Sequence, residues 1–434
     1  MSQATLLSEI LQSPDDDALR LVYADVLQSA GDPRGELIVV QCELARLGLD
    51  GEHIFRDWIG DELADAAAWD DGRVARLRKR EAALLKQHGA GWIEAVRPHA
   101  VKAEGVRFRR GFVEHVGWDV YERIDRGLDA LVAVAPLLRC LEFASYVRAG
   151  SMNALRSFFE SPHLRRLHEL YPSTDALQAR GALPFLVDCG HLESLRRLCL
   201  GQIEAHALQP LAGAPYLPRL DAIVLNGFSQ ATELKGLLSV PTRLDELQLI
   251  DGDVGPAIAE ELVKLASLAQ VRILAVRAGR LGPGGATALL GGRSWPSLVA
   301  LDLRNNKLRA EDAAIVTTLK TTRVINLSGN PLGDEGIERL FERGGFGALR
   351  ALSLQKTNTT DTGVAALAGS PLLGSLRVLD LRKNQITDRG AAVLAKSKQV
   401  GGLRTLYIGG NQLTPAGKKA LAAASALDGV RVHT

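Results

Sequence analysis

Long apolar runs are missing from this chain of 434 residues, and no stretch approaches the roughly 18 consecutive apolar residues that a membrane-spanning helix needs. An excess of charge is missing too. Lys and Arg number 52 against 50 Asp and Glu, a balance that argues against a general polyanion binder and disfavours nucleic acid as partner. Cysteine is scarce. Cys42, Cys140, Cys189 and Cys199 form no CxxC pair and no regular framework, so they read as buried, reduced thiols. The first residues, MSQATLLSEILQSPDDD, lack a basic segment followed by an apolar core. No signal peptide is expected, and a cytoplasmic protein is predicted.

Catalytic signatures are absent as well. The sequence holds no HExxH, no GxSxG and no G-x-x-x-x-G-K-[ST], and its nine histidines are scattered. Gly282-Pro283-Gly284-Gly285 has the look of a phosphate loop but lacks the Lys, and it sits where each repeat turns into its helix. A structural turn is expected there. These absences predict a chain without enzymatic activity, cofactor or metal.

What the sequence does contain is repetition. Leu376, Leu379, Leu381, Asn384 and Ile386 return as Leu403, Leu406, Ile408, Asn411 and Leu413, each moved by 27 residues. L-x-x-L-x-L-x-x-N-x-L at such a period is the pattern of a leucine-rich repeat. Leu379 and Leu381 alternate with Val378, Asp380 and Arg382, the signature of a short strand with one buried face. Asn384 falls where the chain turns, and its amide can satisfy backbone groups that a buried bend would orphan. Thr387 is a helix N-cap with Asp388 in the favourable first turn, and Gly390 lets the helix approach its neighbour. One such unit cannot cover its own apolar face, whereas stacked units cover one another.

The first leucine positions of successive repeats are Leu138, Leu164, Leu195, Leu220, Leu244, Val271, Leu298, Thr322, Leu349, Leu376 and Leu403. That makes about eleven repeats, with Val430-Arg431-Val432 as a final strand. The N-terminal copies are degenerate. Ile203 and Phe228 occupy the Asn position, Glu169 falls on an apolar site, and residues 164–195 are the least regular stretch. A period near 27 with one helix per unit resembles the ribonuclease-inhibitor class. That resemblance implies an α/β leucine-rich repeat solenoid, a horseshoe with a parallel sheet inside and helices outside. Gly252, Gly279 and Thr357 interrupt the Asn series.

Ahead of the repeats, residues 1–48 read as a small all-α domain of three helices, with stripes at Leu6, Leu7, Ile10 and Leu11 and at Leu19, Val22, Tyr23, Val26 and Leu27. Arg20, Leu21, Tyr23, Ala24, Asp25, Leu27, Gly31, Asp32, Pro33, Arg34, Gly35, Glu36, Gln41, Glu43 and Leu44 resemble the short repeat-companion domain of planctomycete and myxobacterial proteins. Val26 stands where that family usually has Trp. The resemblance implies a bacterial origin and this architecture, and no activity. Asp25, Asp32, Arg34 and Glu36 are expected to cap and pair the helices, since a metal site would need other spacing. Residues 49–105 form an acidic linker with aromatic anchors Phe55, Trp58 and Trp69, followed by an amphipathic helix. The basic run Arg76 to Arg80 is expected to be a solvated face of that helix. Residues 106–137 are expected to cap the first repeat, with a turn at Gly111 between two strands.

The function expected from this organisation is that of a scaffold or regulator that binds a folded protein on the concave sheet face. Glu246, Gln248, Arg277, Asp302, Arg304, Asn326, Gln355, Asp380, Arg382 and Tyr407 lie beside the buried leucines, and Asn305, Lys356 and Lys383 follow in the turns. Strands about 4.8 Å apart would put Arg304 and Arg382 about 14 Å apart on one row, beside a second row holding Asp302 and Asp380. Rows of opposite sign favour register and steering. Three alternatives stand beside it: an effector or enzyme with carboxylates around Asp25 converging on His88, a nucleic-acid contact at residues 76–80, and a target of a partner protease.

Overall fold

A computed structural model describes residues 2–47, 72–102, 105–118, 127–143, 152–172, 181–201, 205–228, 232–240, 243–342 and 347–434. Ile203, Phe55, Trp58 and Trp69, with the acidic segment around the three aromatic residues, lie outside the described residues. The chain is an α/β leucine-rich repeat solenoid preceded by helices. Its described residues fall into two compact units, those within 2–201 and 213–220 in the first and those within 205–212 and 221–434 in the second.

The first unit opens with α1 (Gln3–Gln12), α2 (Asp17–Ser29) and α3 (Arg34–Arg46), followed by a long helix at Gly72–Trp92. Ser2 and Asp16 cap α1 and α2. Leu6, Ile10, Tyr23, Ala24, Leu27, Ile38 and Cys42 bury one another together with Phe112 and Leu137. Phe112 belongs to a hairpin of β1 (Val106–Arg109) and β2 (Phe112–Trp118), joined by Arg110 and Gly111 at φ 48° and 82°. Two left-handed residues in a two-residue loop match the twist of the strands. Strand β2 runs parallel to β3 (Cys140–Phe143), and β4 (Glu169–Tyr171) and β5 (Arg197–Gly201) follow in order.

Charged residues of the helices reach into that hairpin. Arg20 is fully buried and donates to Pro14 O at 2.6 Å, Arg110 O at 3.2 Å and the Glu114 carboxylate at 2.7 Å. Gln41 Oε1 accepts from Gly111 N at 2.6 Å, and Arg34 donates to Gly111 O at 3.2 Å. Asp32 accepts from Arg34 N at 2.8 Å, and Glu36 pairs with Arg80. Asp32 and Glu36 take the expected capping and pairing roles, whereas the Arg34 side chain turns to the hairpin and Asp25 is exposed.

The second unit holds β6 (Ala222–Asn226), β7 (Glu246–Ile250), β8 (Ile273–Arg277), β9 (Ala300–Asp302), β10 (Val324–Asn326), β11 (Ala351–Ser353), β12 (Val378–Asp380), β13 (Thr405–Tyr407) and β14 (Arg431–His433). All are parallel and pair in sequence order. In ten of the eleven expected repeats the strand opens two residues after the first leucine position. Leu164 is the exception. It is buried in a 3-10 turn at Pro162–Arg166, and Leu167 takes the strand-leading position, which makes the flanking steps 29 and 28 residues. Glu169 then opens a strand rather than filling an apolar site.

Three sets of hydrogen bonds join one repeat to the next. In the turns, Asn384 Nδ2 donates to Leu354 O and Leu381 O at 2.8 and 3.0 Å, while its Oδ1 accepts from Thr357 N and Thr359 N. Asn306, Asn330 and Asn411 repeat the scheme. Thr357 meets only the local half of it, donating to Leu354 O at 2.8 Å. At Gly252 an added Cβ would lie 2.1 Å from the Phe228 ring, so the ring fills the site an Asn would occupy.

At the helix starts, Asp334, Asp361 and Asp388 accept from the backbone N–H and hydroxyl of Thr360, Thr387 and Thr414 in the following repeat. The amides of Gly363 and Gly390 donate to the first two of these carboxylates at 3.0 Å. At the helix ends, Ser267, Ser370 and Ser397 donate to Leu238 O, Phe341 O and Ala368 O of the preceding repeat. Each of these bonds satisfies a group that a helix terminus leaves open.

Gly390→Ala tests the second set. Alanine normally favours a helix over glycine by about 1 kcal/mol, but here its methyl would stand 2.5 Å from Asp361 Oδ1. The expected outcome is a loss of about 1–3 kcal/mol in urea denaturation, and a gain would deny the close approach. Acid offers a second check. Hydrogen bonds from Thr414 hold the Asp388 carboxyl below its ordinary range. Its stabilising contribution is therefore complete above that range and fades as pH falls through it. The Tm deficit of Asp388→Ala against the unsubstituted chain is expected to be largest near neutrality and to shrink in acid. A deficit that grows on acidification would reverse the assignment.

Candidate partner-binding face

The strand residues between the buried leucines share register across the second unit. Gln248, Ala275, Asp302, Asn326, Ser353, Asp380, Tyr407 and His433 stand on one row. Asp302 and Asp380 are therefore on one line three strands apart, about 14 Å at the usual strand spacing. The second expected row holds Arg304 and Arg382, two residues further along.

The acidic row does not face solvent. Asp302 and Asp380 are 0% and 2% exposed. Asp302 accepts from Arg304 N at 3.1 Å, from the Arg304 guanidinium at 2.6 Å and from Arg277 Nε at 2.9 Å. Asp380 accepts from Arg382 N at 3.0 Å, from its guanidinium at 2.7 Å and from the Ser353 hydroxyl at 3.2 Å. Asn326 does the same for Ser328 N at 3.0 Å. These short side chains bond the backbone two residues on and so end the strand, as Asp and Asn do in turns. The arginines lie over them, with side chains 24% and 39% exposed at Arg304 and Arg382.

The structure thus brings the expected residues into two clusters. One is Arg277, Asp302 and Arg304. The other is Asp380, Arg382 and Tyr407, with the Arg382 guanidinium 4.8 Å above the Tyr407 ring and His433 stacked on that ring at 4.7 Å. Between them Ser328 and Ser353 share a hydroxyl bond of 2.7 Å. Gln355 is half-buried, and Asn305, Lys356 and Lys383 are exposed at φ 61°, 55° and 54°. Glu246 is buried on β7, where Gln248 donates to it.

Other chemistry-bearing candidates are absorbed by the fold. Gly284 N and Ala286 N donate to the Asp312 carboxylate at 3.2 and 3.1 Å, so the glycine-rich loop offers those amides to the next repeat. All four cysteines are free and buried, and burial pushes the Cys42 thiol up to about 12. His88 stacks on Trp92, Arg78 pairs with Glu81, and Arg80 pairs with Glu36. Among the described residues no group of three or more His, Cys, Asp or Glu could hold a metal, and no helix is long and apolar enough to cross a membrane.

Sequence reasoning passed over a further row. Arg323, Arg350, Arg377 and Arg404 each precede a strand, and each donates its backbone N–H to the corresponding residue one repeat earlier: Arg350 to Arg323 O, Arg377 to Arg350 O, Arg404 to Arg377 O. The signal was present as an Arg directly after the first leucine position at a spacing of 27. It was hidden because attention to alternation starts one residue later.

A leucine-rich repeat family model matches residues 323–341 and 375–395. No curated protein matches the chain by sequence. Among solved structures, the yeast Rad7–Elc1 complex is similar at 16% identity and a TM-score of 0.45, over 69% of this chain and 82% of that one. An internalin of Listeria monocytogenes is similar at 17% and 0.39, over 71% and 82%. A protein of Bacteroides fragilis is similar at 15% and 0.37, over 59% and 70%.

Asp380→Ala would strip Arg382 and Ser353 of a buried acceptor. A loss of about 1–3 kcal/mol in urea denaturation is expected. An unchanged midpoint would mean that Arg382 needs no anchor.

Proposed function

We propose that this chain is a non-enzymatic scaffold or regulator that receives a folded protein on the sheet face of its C-terminal repeats. What carries the reading is the presetting of that face. Buried carboxylates orient the guanidiniums of Arg277, Arg304 and Arg382, the last two partly exposed, before any partner arrives. Exposed Lys356 and Lys383 stand in the turns beside them. Side chains held in place beforehand lose little entropy on binding, and Arg and Tyr are the residue types that dominate interface energies. Glu246 and Asn326 serve as fixed floor beneath this surface. The N-terminal helices fit a repeat-companion module, and buried free thiols fit a reducing, cytoplasmic setting.

The test is affinity capture from lysate of the native organism, read by mass spectrometry. Arg→Glu at 304 and 382 would press a second carboxylate against Asp302 and Asp380. The variant of choice is therefore Arg304→Gln/Arg382→Gln combined with Lys356→Glu/Lys383→Glu. A protein captured by the unsubstituted chain and lost from this variant, with the variant still folded at the capture temperature, is the expected outcome. Retention of every captured protein would move the site off this face.

A further inference from the structure

The helices of the C-terminal repeats turn one side to the core and the other to solvent, and charge on that outer side is sorted by helix. Helix α4 (Gly333–Glu342) buries Gly336, Ile337, Leu340 and Phe341 and exposes Glu335, Glu338 and Glu342. Helix α5 (Asp361–Gly369) exposes Thr362, Ala365 and Gly369, none of them charged. Helix α6 (Asp388–Lys396) exposes Arg389, Val393 and Lys396, and the exposed Lys398 follows it. The three helices pack side by side in that order. Their aspartates are already engaged: Asp334, Asp361 and Asp388 accept from Thr360, Thr387 and Thr414 of the next repeat. Arg339 on α4 pairs with Glu335 at 2.5 Å, and Arg343 lies outside the described residues. The exposed charges also share register. Glu335, Thr362 and Arg389 are successive equivalents at a spacing of 27 residues, and so are Glu342, Gly369 and Lys396, so the sign reverses over two repeats. Packed helices lie about 8–10 Å apart, which puts α4 and α6 about 16–20 Å apart, beyond ion-pair reach and beyond the Debye length of about 8 Å.

We infer that this outer face binds a second copy of the chain, as a dimer whose two-fold axis runs along α5. A half turn about that axis lays α4 of one copy on α6 of the other, and α6 on α4, at the same height along the helices. Glu335 then meets the partner subunit's Arg389, and Glu342 meets the partner subunit's Lys396. Arg339 lays its aliphatic stem against the partner subunit's Val393. Each contact occurs twice, because a two-fold interface is self-complementary. The small side chains of α5 let the two copies of that helix approach closely on the axis. A two-fold axis laid across the helices would instead set α4 on α4, glutamate against glutamate, so the charges select one of the two arrangements. An unrelated basic protein would suit α4 and an acidic one α6, whereas a second copy matches both helices at their own spacing. Three helices of nine or ten residues present about 400 Å2 on each copy, an area of the weak, transient class. The proposed partner-binding face lies on the strand side of the same repeats and stays open in this dimer.

The test is sedimentation velocity of the purified full-length chain from micromolar to submillimolar concentration, at low and at physiological salt. A reversible monomer–dimer equilibrium that salt shifts towards monomer is expected. Two variants reverse one side each: Glu335→Lys/Glu342→Lys and Arg389→Glu/Lys396→Glu, with circular dichroism as the folding control. Either variant alone sets like charge on like charge, and its dimer is expected to be weaker by roughly tenfold or more. An equimolar mixture of the two restores opposite charges at every contact and is expected to recover dimers of mixed composition. A monomer at every concentration, a dimer that neither variant weakens, an open series of larger oligomers, or a mixture of folded variants that stays monomeric would each overturn the inference. The assay contains no other protein, so its outcome is independent of the capture experiment.

Discussion

A buried turn must find partners for its own backbone, and the rest of this structure depends on how that is solved. Stacking brings the bend after each strand under the next repeat, where water cannot reach its amides and carbonyls. One Asn side chain per repeat has two donors and two acceptor positions, enough to brace its own turn and tie it to the repeat before it. Asn306, Asn330, Asn384 and Asn411 do this without interruption in chemistry apart from Thr357. The leucines supply the drive to stack, but the amides set the register in which stacking is permitted. The aspartates at helix starts and the serines at helix ends extend the same accounting to the other side of each repeat. Side-chain positions on the sheet face are therefore set to within the tolerance of a hydrogen bond.

The first strands need a different device, because a repeat with no predecessor leaves a sheet edge open. Here the hairpin β1–β2 pairs with β3, and charged groups from α2 and α3 grip its turn and its second strand. Arg20 is an instructive case. A buried guanidinium is costly unless every donor is matched, and the carbonyls of Pro14 and Arg110 together with Glu114 do the matching. The conspicuous charged residues of the N-terminal motif thus act on the hairpin.

Much of this was legible in the sequence, and what was not has physical causes. Periodic leucines located ten of the eleven strands because each leucine position answers one buried site. Leu164 misled because a buried 3-10 turn uses leucine just as a strand does, and Leu167 lies only one turn away. Thr387, Asp388 and Gly390 were read as cap, first-turn acid and close-approach residue within one repeat. Their larger role, a carboxylate in one repeat bonding Thr and Gly of the next, needs the third dimension. Charge on the sheet face misled in another way. A strand pattern tells which side a residue faces, but not that Asp302 will be roofed by Arg304. The left-handed turn residues Asn305, Lys356 and Lys383 carry no glycine to announce them.

The bonds between helix starts have one more consequence. Asp334, Asp361 and Asp388 present the same acceptor to Thr360, Thr387 and Thr414, and each junction is spaced by about one repeat. Each junction is chemically interchangeable with the next. A recombination event that removed one 27-residue unit would place Asp334 opposite Thr387 and restore the contact it broke. The C-terminal repeats are thereby open to gain and loss of whole units over evolutionary time, while the degenerate N-terminal repeats, each joined by its own improvised bonds such as Cys189 to Phe159 O and Tyr216 to Leu186 O, are not.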